Sequence, residues 1–134
     1  MDRLIDTMRC RLLGVIALVG TCGCEVITGD CGEDLRAAGP QIWSEGTTEA
    51  GVYRSSSWQA AEWLDFPSGI ELRLEHDLGE EPSSWSAFVA VDRAASLVQA
   101  SGEEVELVSI DDEAVVVRNP SCSDLVIVVT AAAP

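Results

Sequence analysis

Short segments rich in β-branched and aliphatic residues, separated by turn residues, constrain the fold of this 134-residue chain most strongly. Residues 70–75 alternate apolar and charged side chains, which is the period of a strand with one solvent-facing side. Residues 85–91 (WSAFVAV) and 125–129 (LVIVV) are apolar runs too short to indicate helices. Similar short segments lie at residues 104–107 and 115–117, so the local pattern favours strands throughout.

Turn residues fall between these segments at a spacing near ten residues. They are Gly79 and Pro82, Ser101-Gly102, Asp111-Asp112, and Asn119-Pro120. Strands at this spacing are typical of an antiparallel sandwich. We therefore predict an all-β fold: a small antiparallel β-sandwich of six to eight strands over residues 51–134, preceded by a signal peptide that is cleaved.

Residues 24–50 differ from residues 51–134 in the pattern of their side chains. Their apolar periodicity is weak, and several glycines and Pro40 interrupt them. We expect this stretch to be an irregular tether that leads into the sandwich. The sequence permits one helical turn near residues 33–38, which Gly39-Pro40 would end.

The N-terminal residues have the order of an export signal. Residues 1–11 carry three arginines, residues 12–20 (LLGVIALVG) are uncharged and apolar, and small residues and cysteines follow. A bilayer span needs about 20 apolar residues, so the run is too short to cross a membrane. A buried core helix is the alternative, and the order of the three features at the chain start disfavours it.

This N-terminus resembles the signal peptides of bacterial lipoproteins, in which the cysteine after the cleavage site receives diacylglycerol on its sulfur. The resemblance implies a signal peptide over residues 1–23 and lipidation of Cys24, which Gly23 directly precedes. Thr21 and Cys22 are atypical of the positions further back. Cys22 is the alternative lipid site: Val19 fits three places before it, but Thr21 fits less well directly before it.

The parity of the cysteines favours Cys24. Cleavage before Cys24 leaves Cys31 and Cys122 as an even pair, whereas cleavage before Cys22 leaves an odd set in an oxidising compartment. We predict a disulfide between Cys31 and Cys122; two unrelated thiols are the alternative. In the chain-entropy model, closing a loop of this length stabilises the fold by about 4–5 kcal/mol.

The same resemblance bears on where the protein is held. Two or more acyl chains anchor a protein stably in a membrane. In the family, Asp after the lipidated cysteine retains the protein at the inner membrane; here the residue is Glu25, which favours the outer membrane, on its periplasmic face or at the cell surface. The membrane, through the lipid anchor, is thus the first expected partner.

Charge excludes one class of partner. The chain contains no lysine, and a mature form starting at Cys24 would carry five arginines against 21 acids, a net charge of −16. Such a surface repels phosphate backbones, because binding them depends on basic side chains. Nucleic acid is therefore not expected as a partner, and a divalent cation or a basic protein suits this charge better. Apart from the membrane, an envelope protein or a polysaccharide is the other partner we consider.

A second resemblance lies at His76, the only histidine of the chain. Residues 76–82 have the form His-x-Leu-Gly-x-x-Pro, which resembles a structural turn in small β-sandwich modules of phage tail and fibre proteins and of some bacterial surface proteins. Asp77 departs from that pattern, where Gly or Asn is commoner. The resemblance implies a sandwich and no activity. We expect the ring of His76 to bond a local carbonyl rather than to act as a base, since no Gly-x-Ser-x-Gly elbow or second histidine accompanies it.

The remaining candidate sites are acidic clusters and tryptophans. The clusters are Glu80-Glu81, Glu103-Glu104-Glu106 and Asp111-Asp112-Glu113, and none has the spacing of a calcium loop. A hydrolase with an acid pair, or calcium-dependent adhesion, stays open as an alternative, although with 21 acids some pair meets the 5–10 Å criterion by chance.

Trp58 and Trp63, near Tyr53 and Phe66, are the candidate ligand-binding residues. They could form an exposed platform on which sugar rings stack, or they could fill the core. We expect no cofactor, no metal and no enzymatic activity. The sequence predicts a lipid-anchored envelope protein with a structural or binding role, and a carbohydrate- or peptidoglycan-binding module is the alternative.

Lipidation is directly testable. We expect cells that express the full chain to incorporate radioactive palmitate into it, and substitution of Cys24→Ala to abolish the labelling because the acceptor sulfur is lost. Cys22→Ala is the matched control and should retain the label. Labelling that survives in the double variant would contradict both assignments.

Overall fold

The computed structural model describes residues 31–134. The predictions for the signal peptide and for lipidation at Cys22 or Cys24 fall on residues outside this range. No helix within residues 31–134 is long and apolar enough to cross a membrane.

Residues 31–134 form ten strands with very little helix, which confirms the all-β prediction. The helical elements are α1 (Glu33–Ala37) and a 3₁₀ turn (Ala60–Glu62). The strands are β1 (Gln41–Trp43), β2 (Thr47–Glu49), β3 (Val52–Arg54), β4 (Leu64–Phe66), β5 (Glu71–Glu75), β6 (Ser84–Ala90), β7 (Val98–Gln99), β8 (Glu106–Ile110), β9 (Ala114–Arg118) and β10 (Leu125–Ala132).

The strands form two sheets. The smaller sheet has the order β1-β5-β9-β8, and β1 runs parallel to β5 while the other pairs are antiparallel. The larger sheet has the order β2-β3-β10-β6-β7, and β4 also pairs with β10. The segment at residues 76–82 connects β5 of the smaller sheet to β6 of the larger sheet, so this turn carries the chain from one layer to the other.

The core lies between the sheets and follows the period of two that strands impose. In the smaller sheet the inward side chains include Leu72, Leu74, Val115 and Val117. In the larger sheet they include Tyr53, Phe66, Val89, Leu125, Ile127 and Val129. Burial of this apolar surface is the main force that holds the two layers together.

One edge of β10 is shared by two short strands. β4 pairs with its first half and β3 with its second half. Between them lies Ser55, which is fully buried. Its N–H donates to the Val129 carbonyl at 2.9 Å, and its Oγ accepts from the Val129 N–H, also at 2.9 Å. The serine side chain thus completes the ladder where the partner strand is interrupted.

The predicted disulfide between Cys31 and Cys122 is present. It joins the beginning of the described chain to the loop before β10. Gly32 and Gly69 make a close backbone contact beside it, and a Cβ at Gly32 would overlap the carbonyl oxygen of Ser68. Both glycines have positive φ, 71° and 78°, so side chains are disfavoured on two grounds. The lead-in segment is therefore fixed to the sandwich at this end.

Asn119 organises the same end of the molecule. Its side chain is fully buried, and its Nδ2 donates to the carbonyls of Phe66 (2.7 Å) and Ser123 (2.9 Å). Its Oδ1 accepts from the N–H and the hydroxyl of Ser121, at 2.9 and 2.6 Å. One amide thereby holds the loop that carries Cys122 against the end of β4.

The sandwich begins earlier than the sequence predicts. We expected residues 24–50 to be irregular, but α1, β1 and β2 lie between residues 31 and 50. The helical turn agrees with the pattern, whereas the two strands were not predicted. Each has three residues, too few to display an alternation, and each is added to a sheet edge by pairing with a distant or later strand. The same brevity explains why ten strands are present rather than six to eight.

Removal of the Asn119 side chain should destabilise the fold. We expect Asn119→Ala to lower the free energy of unfolding by about 2–4 kcal/mol, because the buried Phe66 carbonyl and the partly buried Ser123 carbonyl lose their donor. Urea unfolding with the disulfide intact measures this. Gln99→Ala, at an exposed amide on β7, is the control and should change stability by less than about 0.5 kcal/mol. Equal midpoints for the two variants would contradict this role for Asn119.

Candidate functional site

The outer face of the larger sheet is also partly covered, which sets it apart from a simple two-layer sandwich. Outward residues Val126 and Val128 of β10 pack with Ala90 and Trp63 in a second apolar cluster. Residues 55–63 fold back over this face and supply Trp63. The segment therefore places its polar and aromatic side chains directly on the sheet surface.

Trp58 is the exposed aromatic residue of this segment. Its side chain is 49% exposed, and its ring meets Phe88 of β6 edge to face with 5.2 Å between centroids. The guanidinium carbon of Arg54 lies 5.9 Å from the centroid of the indole, within the range of a cation–π interaction. These contacts hold the ring in one orientation while part of it faces solvent.

Trp63 is much less exposed than Trp58, with which the sequence predicted it to form a platform. Its side chain is only 8% exposed, because it packs into the outer apolar cluster. Tyr53 and Phe66 are fully buried in the main core. A stacking platform on this face can therefore use Trp58, whereas Trp63 forms part of the wall beneath it.

Two adjoining depressions flank Arg54. The first, which we call the serine cleft, encloses about 570 Å³ and is lined by Trp43, Thr47, Arg54, Ser55–Ser57, Glu62 and Trp63, among others. The second, the Trp58 groove, encloses about 340 Å³ and is lined by Thr47, Glu49, Val52, Arg54, Trp58 and Thr130, with Ala50. Both volumes fall in the roughly 300–1,000 Å³ range of small-molecule sites.

Arg54 and Thr47 line both depressions. Arg54 is partly buried, and its Nε has no hydrogen-bond partner among residues 31–134. The indole N–H of Trp63, in the wall of the serine cleft, is likewise without a partner within that range. By contrast, Trp43 donates its indole N–H to the Ser55 carbonyl at 2.8 Å.

Three other arginines in the described part of the chain are paired with acids. Arg93 contacts Asp65 at 2.9 Å, Arg73 contacts Glu113 at 3.2 Å, and Arg118 contacts Glu71 at 2.7 Å. The hydrogen bonds that Arg118 donates to the Glu71 carboxylate raise the pKa of Arg118. Arg54 forms no such ion pair with any residue between 31 and 134, so its charge is not neutralised by contact.

His76 lies in the connection between β5 and β6, and its ring contacts a carbonyl that is distant in the chain rather than the local one that we expected. Its Nε2 lies 3.2 Å from the carbonyl oxygen of Asp111, and the Leu78 N–H approaches its Nδ1 at 3.4 Å. These contacts fit a neutral ring with the proton on Nε2. The Asp111 carboxylate accepts hydrogen bonds from the N–H groups of Glu113 and Ala114, which lower its pKa. The corner is thus an internally bonded loop support.

The acidic clusters do not converge on a metal-binding geometry within residues 31–134. No group of three or more His, Cys, Asp or Glu side chains in that range is arranged to hold a metal ion. Glu75, Asp77, Asp112 and Glu113 border one shallow depression beside His76.

The sequence indicated Trp58 as a candidate ligand-binding residue but did not indicate Arg54. Whether Arg54 has an ion-pair partner depends on where the other strands place the acidic side chains.

The chain matches no protein-family model, no curated protein and no solved structure.

The difference between the two tryptophans can be measured by acrylamide quenching of their fluorescence. We expect Trp58→Phe to remove most of the readily quenched emission, since the Trp58 ring is half exposed. The matched variant Trp63→Phe should leave that component in place, because the Trp63 ring is shielded. A larger loss of quenching in Trp63→Phe than in Trp58→Phe would contradict the arrangement of this face.

Proposed function

We propose that this chain is the precursor of a lipid-anchored protein of the bacterial cell envelope, whose β-sandwich binds a saccharide beside Trp58. The observation that carries the binding role is the half-exposed Trp58 ring, fixed by Phe88 and Arg54 at the edge of a groove. About half of the indole surface is left open to a ligand. A sugar ring, which has an apolar face of C–H groups, is a suitable partner for such an indole.

The export signal supports an envelope location. The disulfide between Cys31 and Cys122 agrees with an oxidising compartment, since such bonds are rare in reducing ones. Lipidation at Cys24 remains the expectation from the sequence resemblance, and it supplies the membrane as the first partner.

The proposed anchor limits where the sandwich can act. Six residues lie between Cys24 and Cys31, so seven Cα–Cα steps join them. Cys31 is fixed to the sandwich by its disulfide. A fully extended chain covers at most about 3.6 Å per residue, so this link spans about 25 Å or less. The protein would then bind saccharides that lie close to the membrane surface.

Polar groups around Trp58 suit a hydroxyl-rich ligand. The serine cleft offers the hydroxyls of Ser56 and Ser57 and the exposed carboxylate of Glu62, and the Trp58 groove offers Glu49. Carboxylates accept hydrogen bonds from sugar hydroxyls, while Arg54 donates. This mixture around one aromatic ring favours a saccharide over a purely apolar ligand.

Binding to cell-wall oligosaccharides tests the proposal. The full lipoprotein, purified from membranes in detergent, is titrated with muramidase-released peptidoglycan fragments while its tryptophan emission is followed. We expect a saturable shift, and a loss of affinity of at least tenfold in Trp58→Ala because the stacking surface is removed.

Ile42→Ala is the matched control, since Ile42 is 61% exposed on β1 of the smaller sheet. This variant should bind as the parent does. A flat titration of the parent protein, or equal affinities for the parent and Trp58→Ala, would count against saccharide binding at this face.

A further inference from the structure

We propose that the saccharide bound at this face is an acidic one, and that Arg54 binds its carboxylate. This inference rests on the proposed saccharide-binding function and names the chemical class of the ligand. It is carried by the charge state and position of Arg54 rather than by Trp58.

The charge of Arg54 is unusual in this domain. Residues 31–134 contain five arginines and 19 acids, so an arginine has abundant potential partners. Arg73, Arg93 and Arg118 each pair with one or more of them. Arg54 is partly buried, yet no carboxylate among residues 31–134 lies within ion-pair distance of it. Partial burial of an uncompensated charge costs free energy, and an anionic ligand would recover it.

The position of Arg54 fits a carboxylate on a sugar ring. Its guanidinium carbon lies 5.9 Å from the centre of the Trp58 indole, at the junction of the serine cleft and the Trp58 groove. Because Arg54 lies over one face of the indole, a sugar ring would contact the part of the indole that Arg54 leaves exposed, with its edge toward the guanidinium. The carboxylate of a uronic acid projects from the ring edge, where the planar guanidinium can donate to both of its oxygens.

A second group of the wall adds to this preference. The Trp63 indole N–H, like the Nε–H of Arg54, has no acceptor within the described residues. The Trp63 N–H is thus a second donor, without a partner among residues 31–134, in the lining of the serine cleft, which Arg54 also lines. Since the indole of Trp63 is 92% buried by its packing in the outer cluster, its dipole is held in a fixed direction.

The surrounding acids set the limits of the ligand charge. Glu45, Glu49 and Glu62 are exposed at the rims of the two depressions. They accept hydrogen bonds from neutral hydroxyls but repel further negative charge. The site therefore suits a ligand that places a single carboxylate at Arg54 with free hydroxyls around it, and disfavours densely charged sulfated or phosphorylated polymers.

The test compares two probes that differ only in charge. Trigalacturonic acid and its methyl ester share the same rings and hydroxyls, but the ester lacks the carboxylates. Isothermal titration of the full lipoprotein in detergent should show the acid binding at least tenfold more tightly than the ester, because a charge-assisted hydrogen bond is lost in the ester.

Variants of two arginines test whether Arg54 causes the preference for the acid over the ester. Arg54→Gln should weaken binding of the acid by at least tenfold and leave binding of the ester unchanged. Arg36→Gln removes the same charge from the exposed helix α1, outside both depressions, and should change neither affinity. Thermal melting of both variants checks that the fold is kept.

The outcomes separate this inference from the proposed function. Equal binding of acid and ester, or an Arg54→Gln variant that keeps the preference for the acid, would overturn the role of Arg54 while saccharide binding stands. Failure of the acid to bind, with peptidoglycan fragments still bound through Trp58, would also overturn it. Loss of all saccharide binding in the parent protein would overturn both.

Discussion

The packing of β10 is the constraint on which the rest of the structure depends. This strand pairs with β6 along one edge and with β3 and β4 along the other. Its inward residues, including Ile127 and Val129, enter the core between the sheets, and its outward residues Val126 and Val128 are also buried. A strand that is apolar on both faces requires cover on both, so the larger sheet cannot leave its outer face open to water.

That requirement creates the candidate site. Residues 55–63 cover the outer face of β10, and they do so by leaving the ladder at Ser55, whose hydroxyl replaces the missing partner of Val129. Trp63 covers the outward apolar side chains of β10. Trp58 and Arg54 remain at the border of the covered area, one half exposed and the other unpaired within the described chain. The candidate site is thus a consequence of how the second side of one strand is shielded.

At the beginning of β10, covalent and polar links hold the strand to other segments of the chain. The disulfide, the contact between Gly32 and Gly69, and the side chain of Asn119 all lie around the loop that precedes Leu125. A domain of this size buries a modest fraction of its surface, so covalent and buried polar links contribute a large share of its order. They also fix the lead-in segment, which gives the proposed membrane anchor a short and defined link to the sandwich.

Much of the architecture was predictable from local patterns. The alternation at residues 70–75 corresponds to β5, and the apolar runs at 85–91, 115–117 and 125–129, which are too short for helices, correspond to β6, β9 and β10. The pattern at residues 104–107 overlaps only the first two residues of β8. The disulfide was predictable from cysteine parity. The strands β1, β2, β3, β4 and β7 were not, since two or three residues carry no readable alternation and exist only through their pairing partners.

The sequence by itself determined the all-β class and the strong negative charge, and it supplied the pattern that predicts an export signal, because these follow from composition and from the order of neighbouring residues. Only the tertiary structure decided that Trp58 faces solvent while Trp63 is shielded, and that Arg54 lacks an acid that three other arginines have. Exposure and pairing are relations between residues far apart in the chain, and a local pattern contains no information about which of many acids a given arginine will meet.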